Sequence, residues 1–243
     1  MVSKNKILLG QIIINFVLAL TMSQSGLADV VNPQLSRSRN LLTEIIELLE
    51  YEPPSRGKPG DTADAGSRGS CDFLAIVPAH QYGLTAAEHP TLWFYLKSQP
   101  SLPKSVHLEL QNEQNNIVYQ TTFELNQTAR IIDFRLPQTA PPLVIGQKYK
   151  WILSYGGINH EMYTSGKIER IALAPEIESQ LKQATSRERL QILIKKRLWY
   201  DTFTELNQLR QTNPQDTELN VAWTTLIDRT FRSKNCLVSN HEK

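Results

Sequence analysis

Between Phe73 and Ile171 short apolar runs alternate with turn residues, and this rhythm confines the segment to a sheet architecture. The runs fall at 73–77, 91–96, 106–111, 117–123, 131–136, 148–155 and 163–171. Val106, Leu108 and Leu110 alternate with His107, Glu109 and Gln111, the period-two pattern of a strand with one wet face. Ile132, Phe134 and Leu136 repeat it against Asp133 and Arg135, and Tyr149, Trp151, Leu153 and Tyr155 against Lys148, Lys150 and Ser154. The sequence Asn112-Glu113-Gln114-Asn115-Asn116 has the composition of a hairpin turn. Strands recurring roughly every ten residues predict an antiparallel β-sandwich of immunoglobulin or fibronectin type over 71–174. Leu143 to Trp151 reads as a tyrosine corner, in which the Tyr149 hydroxyl bonds back to the loop before its strand.

Pro175 closes the strand region, and 175–232 reads as helical. Leu190, Leu193, Ile194 and Leu198 share one face, as do Phe203, Leu206 and Leu209 before the stop at Asn213-Pro214. Leu219, Ala222, Trp223, Leu226, Ile227 and Thr230 follow the spacing of an amphipathic helix. The middle of this segment resembles a tetratricopeptide hairpin, but that unit needs several copies to bury its faces. One copy and a fragment must therefore cap another surface, and the sandwich is the surface at hand.

Upstream, 29–50 reads as an amphipathic helix with Leu41, Leu42, Ile45, Ile46, Leu48 and Leu49 opposite Glu44, Glu47 and Glu50. Such a stripe needs a cover. Docking on its own domain is the first expectation, and a partner surface built on Leu41, Ile45, Leu48 and Leu49 is the other. Residues 51–70, rich in Pro and Gly, read as a flexible linker, and 233–243 as a loose polar tail. The first 28 residues have the layout of a signal peptide: Lys4 and Lys6, an apolar run from Ile7 to Leu20, then small residues ending Gly26-Leu27-Ala28. Cleavage after Ala28 would send the chain out of the cytoplasm, to the periplasm or beyond. An uncleaved leader would be its one tie to a membrane.

Without that leader 24 basic residues face 24 acidic ones, so the chain lacks the electrostatic footprint of a nucleic-acid binder. Export would also place Cys71 and Cys236, the two cysteines of the chain, where a disulfide persists. One bridge and two separate thiols are equally compatible with the sequence.

Catalytic chemistry is sparse. His80, His89, His107, His160 and His241 share no helix or strand face at ligand spacing, so no metal or cofactor is expected. His160-Glu161 opens like a zincin motif, but Thr164 stands where the second histidine belongs. No Gly-x-Ser-x-Gly elbow or phosphate-binding glycine loop is present, and Ser165-Gly166 reads as a bulge. Glu88-His89, entering the aromatic run Trp93-Phe94-Tyr95, is the best acid–base doublet, although neighbouring residues point apart. Of the three aromatics, alternate members are expected to fill the core and one to face out. Asn126-Gln127-Thr128 matches a glycosylation sequon and reads as a turn; Lys195-Lys196-Arg197 reads as a solvated face.

The segment Thr85-Ala86-Ala87-Glu88-His89-Pro90-Thr91-Leu92-Trp93-Phe94-Tyr95 resembles the signature of a cyanobacterial family known only as domain of unknown function 928. Three further blocks are similar to that family: Arg68-Gly69-Ser70-Cys71, Ala140-Pro141-Pro142-Leu143 running on to Tyr149 and Trp151, and Leu198-Trp199-Tyr200-Asp201 with Asn213-Pro214. Together they span about Arg68 to Phe231. The resemblance implies an exported protein, a sheet domain followed by helices, and no established activity. In the family a Cys-Asp usually follows the strand that holds Trp151, whereas Tyr155-Gly156-Gly157-Ile158 stands here. If Cys71 normally pairs with that cysteine, this chain has lost the bridge.

These readings lead to a non-catalytic extracytoplasmic binding or adaptor module with a protein partner in the cell envelope. The alternatives are an envelope hydrolase using loop carboxylates such as Glu88 or Asp72, and a structural component self-associating through Leu41–Leu49.

Overall fold

The computed structural model describes residues 40–51, 71, 73–96, 105–125, 131–155, 162–234 and 236. The expected leader and its cleavage point, residues 52–70, Asp72, the sequon, His160-Glu161 and most of the C-terminal tail lie outside them. In chain order the elements are α1 (Leu41–Leu49), β1 (Phe73–Ala75), β2 (Tyr82–Thr85), β3 (Thr91–Leu96), β4 (Ser105–Asn112), β5 (Ile117–Glu124), β6 (Ile131–Arg135), β7 (Lys148–Tyr155), β8 (Met162–Arg170), α2 (Pro175–Gln183), α3 (Ser186–Lys195), α4 (Trp199–Thr212) and α5 (Thr217–Arg232).

The strands form two sheets, one ordered β1-β3-β6 and one ordered β2-β8-β7-β4-β5. Their inner faces meet through aromatic pairs. Phe94 stands edge-on to Trp151 with ring centroids 5.3 Å apart, Phe73 edge-on to Tyr155 at 5.0 Å, and Phe123 stacks on Phe134 at 4.7 Å. The Ala75 amide donates to the Thr164 hydroxyl across the same interface (2.9 Å). Gly166 is required here, because a Cβ on it would stand 2.5 Å from the Trp151 ring. It pairs regularly with Trp151 across β7 and β8, so the expected bulge at Ser165-Gly166 is absent. Its missing side chain makes room for an indole. The Tyr149 hydroxyl accepts from the Val144 amide (3.1 Å) and donates to Gln147 (2.9 Å), the bond expected of a tyrosine corner.

Two features depart from a purely antiparallel sandwich. β2, which the sequence pattern does not announce, joins β8 in parallel. The three-stranded sheet is also covered on its second face by helices. Trp93 packs on Phe203 and Trp223 and donates to Thr204 (3.1 Å), while Tyr95 packs on Phe231. Trp93 and Tyr95 thus both face the helices and Phe94 alone of the three enters the space between the sheets, which corrects the expected single outward aromatic. A strand covered on both sides is apolar at successive positions rather than alternate ones, as β3 is.

The helices are placed by local signals. Thr185 and Glu188 form a capping box at the start of α3, and Asp216 caps α5. Between α3 and α4 the chain turns through Arg197 at φ +60°, with Leu198 N–H bonding to Leu193 and Arg197 N–H to Ile194, the Schellman pattern. Its guanidinium lies 3.9 Å over the Tyr51 ring. This turn delivers Trp199, Tyr200 and Asp201 directly onto the sheets.

The bridge question is resolved in favour of pairing. Cys71 and Cys236 are joined, with Cα atoms 5.5 Å apart and a sequence separation of 165. The bond fastens the end of α5 to the start of β1. Lys234 adds a bond from its ammonium to the Ala75 carbonyl (2.6 Å), and burial lowers its pKa to about 8. Ser233, Lys234 and Cys236 are therefore anchored and do not belong to a loose tail.

Candidate functional site

α4 carries two stripes. Phe203, Leu206 and Leu209 face inward and are buried, while Asp201, Thr204, Glu205 and Gln208 follow at i, i+3, i+4 and i+7 on another side. That polar stripe lines a cleft of about 570 Å³, within the size range of small-molecule sites. The end of β2 supplies Thr85, the β2–β3 loop Ala87, His89 and Pro90, β6 Arg135, and α2 and α3 Glu178, Lys182 and Arg189.

Its polar groups are tied in place from behind. The Ala86 amide donates to the Asp201 carboxylate (3.2 Å), and the Thr85 hydroxyl and Ala87 amide lean on it as well. Burial nonetheless dominates and raises the Asp201 pKa to about 6, the hydrogen bonds opposing it. Glu205 is also raised by burial, with Arg189 opposing at 3.7 Å. The Thr204 hydroxyl accepts from Trp93 and donates to the Tyr200 carbonyl (2.8 Å), so it has a fixed orientation. Tyr200 lies beneath, accepting from the Trp151 indole (2.9 Å) and donating to the Lys167 carbonyl (3.1 Å); its burial raises its pKa. A side chain at Gly83 would strike the Tyr200 ring, at 2.7 Å, so this glycine sets how closely α4 approaches β2.

The sequence doublet Glu88-His89 separates. Glu88 is exposed and pairs with Arg170 (3.0 Å), which also donates to the Leu143 and Ala86 carbonyls. His89 is buried, lines the cleft, and donates from Nε2 to the Ala140 carbonyl (3.0 Å). Glu88 fastens the loop and His89 braces it, and the two do not form an acid–base pair. What the sequence reading missed is the α4 stripe, whose spacing was visible but lay beside a stronger apolar one.

The N-terminal stripe is covered within the chain. Leu41, Ile45 and Leu48 are buried and Leu49 half-buried, with α1 packed on α3 and α5. The Leu41 amide donates to Glu218 on α5 (3.0 Å) and Lys195 approaches the buried Glu44 (4.0 Å). These contacts remove the stripe as an exposed surface for a partner or a second copy. Among the described residues, no three His, Cys, Asp or Glu side chains gather where a metal ion could be held, and no helix is long and apolar enough to cross a membrane.

The family described as Domain of Unknown Function (DUF928) matches residues 55–234, from ahead of β1 to the end of α5. The chain belongs to this family. The match takes in the β2–β3 loop, the bridge residue Cys71 and all of α4, so every wall of the cleft lies within the DUF928 region. No curated protein matches the chain.

Proposed function

We propose that this DUF928 protein is an exported binding module of the cyanobacterial envelope that holds a small polar ligand in the cleft between the β2–β3 loop and α4. The supporting observation is that the polar groups lining the cleft are braced by the fold. Asp201 is engaged by the loop, Glu205 by Arg189, Thr204 by Trp93, and His89 by Ala140. Fixed groups suit recognition, because little ordering is left to occur on binding. Acids and cations both line the cleft, which favours a ligand carrying both charges, such as an amino acid or short peptide.

In this reading the leader is cleaved after Ala28, the sandwich is of immunoglobulin kind with its tyrosine corner at Tyr149, and the helices, hairpin-like as in tetratricopeptide repeats, serve as one wall of the site. Calorimetric titration with amino acids and dipeptides tests it. Saturable binding to the wild type, weakened at least tenfold by Arg135→Ala, supports it; no heat from any member overturns it. Asp201 favours a second reading, hydrolysis, because a carboxyl with a pKa near 6 can act as a general acid. Turnover of a peptide or glycan by the wild type and not by Asp201→Asn would select that reading. An envelope protein docking at the same cleft would appear as one dominant cross-linked partner in intact cells.

A further inference from the structure

The four outer strands of the two sheets are protected unequally. β2 is covered by α4, with Trp199 and Tyr200 against Gly83. β1 is three residues long and fastened by the Cys71–Cys236 bond and by Lys234. β6 is five residues long and carries Asp133 and Arg135. Short strands, charges and covers are the usual means of keeping sheet edges from pairing. Among the described residues no helix or strand covers the free edge of β5, and its pairing with β4 is regular from Tyr119 to Glu124, beyond the register shift between Leu110 and Gln111. The strand runs for eight residues, Ile-Val-Tyr-Gln-Thr-Thr-Phe-Glu, without lysine, arginine or proline, and its one charge stands at its last position. Among the described residues it pairs with β4 on one side only.

We infer that β5 is an interaction edge that pairs antiparallel with β5 of a second copy of this chain, joining two five-stranded sheets into one. The occupant follows from self-complementarity. Tyr119, Thr121 and Phe123 share the inner face, opposite Leu110, Leu108 and Val106 of β4, and all three are half-buried. A two-fold axis through Thr121 sets Tyr119 opposite the partner's Phe123, and the reverse, giving two aromatic cross-strand pairs. The same register sets the exposed Gln120 opposite the partner's Thr122 and opposes no like charges. A single strand pair is a small interface, so association is expected in a weak range, with half-dimerisation at roughly 100 μM.

Sedimentation velocity of the full chain over a concentration series tests this. The wild type is expected to dimerise. Gln120→Lys with Thr122→Lys places lysine opposite lysine twice while altering only exposed side chains, and should weaken the dimer at least tenfold. Gln120→Lys with Thr122→Glu places opposite charges across the axis and should restore it. Thr121→Cys should give a covalent dimer on oxidation, since paired strand positions lie within disulfide reach and the native cysteines are already joined. A wild type that stays monomeric throughout, a two-lysine variant that associates like the wild type, or no covalent dimer from Thr121→Cys overturns the inference.

Discussion

Opening the Cys71–Cys236 bond should cost the protein more than any single side-chain change within its core. The bond spans 165 positions and encloses both sheets and helices α2 to α5. The chain-entropy relation for a loop of that length gives about 5 kcal/mol, and native disulfides of small exported domains typically contribute 2–5 kcal/mol. Two further terms act at the same place. Cys236 is buried, and the bond holds Lys234 against the Ala75 carbonyl, so release would also loosen the last turn of α5 over Tyr95. For a domain of this size 5 kcal/mol corresponds to a melting point lower by about 10–20 °C. The assay is urea unfolding of the wild type, oxidised and reduced, beside Cys71→Ser with Cys236→Ser. Reduced protein and double variant should agree with each other and fall short of the oxidised form by at least 2 kcal/mol. Equal midpoints for all three would refute the bond as a clamp on the fold.

Other consequences are local. Asp201 is protonated more readily folded, near pH 6, than unfolded, near its ordinary 3.8, so its contribution to stability is lost as pH rises from about 4 to 6. Asp201→Asn keeps an acceptor for the Ala86 amide and should flatten that pH dependence, stabilising the protein by about 1–3 kcal/mol at pH 7; melts at pH 4.5 and 7 check it. Gly166→Ala drives a methyl into Trp151 and Val77 and should cost about 1–3 kcal/mol by urea unfolding, with a shift in tryptophan emission. Tyr149→Phe leaves the Val144 amide without its acceptor and should cost about 1 kcal/mol in the same assay.

The sheet region was legible because β4, β6 and β7 each carry their own alternation and turn residues separate the apolar runs, and the helical region because its stripes recur at three and four residues. β2 escaped because Tyr82-Gly83-Leu84-Thr85 is four residues long, contains a glycine, and is held by a parallel partner more than eighty positions away. The disulfide was equally illegible, since spacing says nothing about which distant ends a fold brings together. For α1 the stripe was plain, but its cover on α3 and α5 is a tertiary choice. Trp93-Phe94-Tyr95 was readable in retrospect: an unbroken apolar strand with helices following it indicates burial on both faces. At the site, Glu88-His89 was conspicuous as a doublet yet serves to hold a loop. Asp201 stands in a block similar to the family, yet nothing in the sequence marks it as chemistry, because its raised pKa arises from enclosure by the β2–β3 loop, with Ala86 115 positions away in sequence.

Native mass spectrometry of the protein recovered from its own cells tests the binding account most directly. The account predicts a one-to-one adduct of a small polar molecule on the wild type, released on unfolding and missing from Arg135→Ala. Wild-type protein that is free of any adduct, or an adduct that Arg135→Ala retains in full, would contradict it.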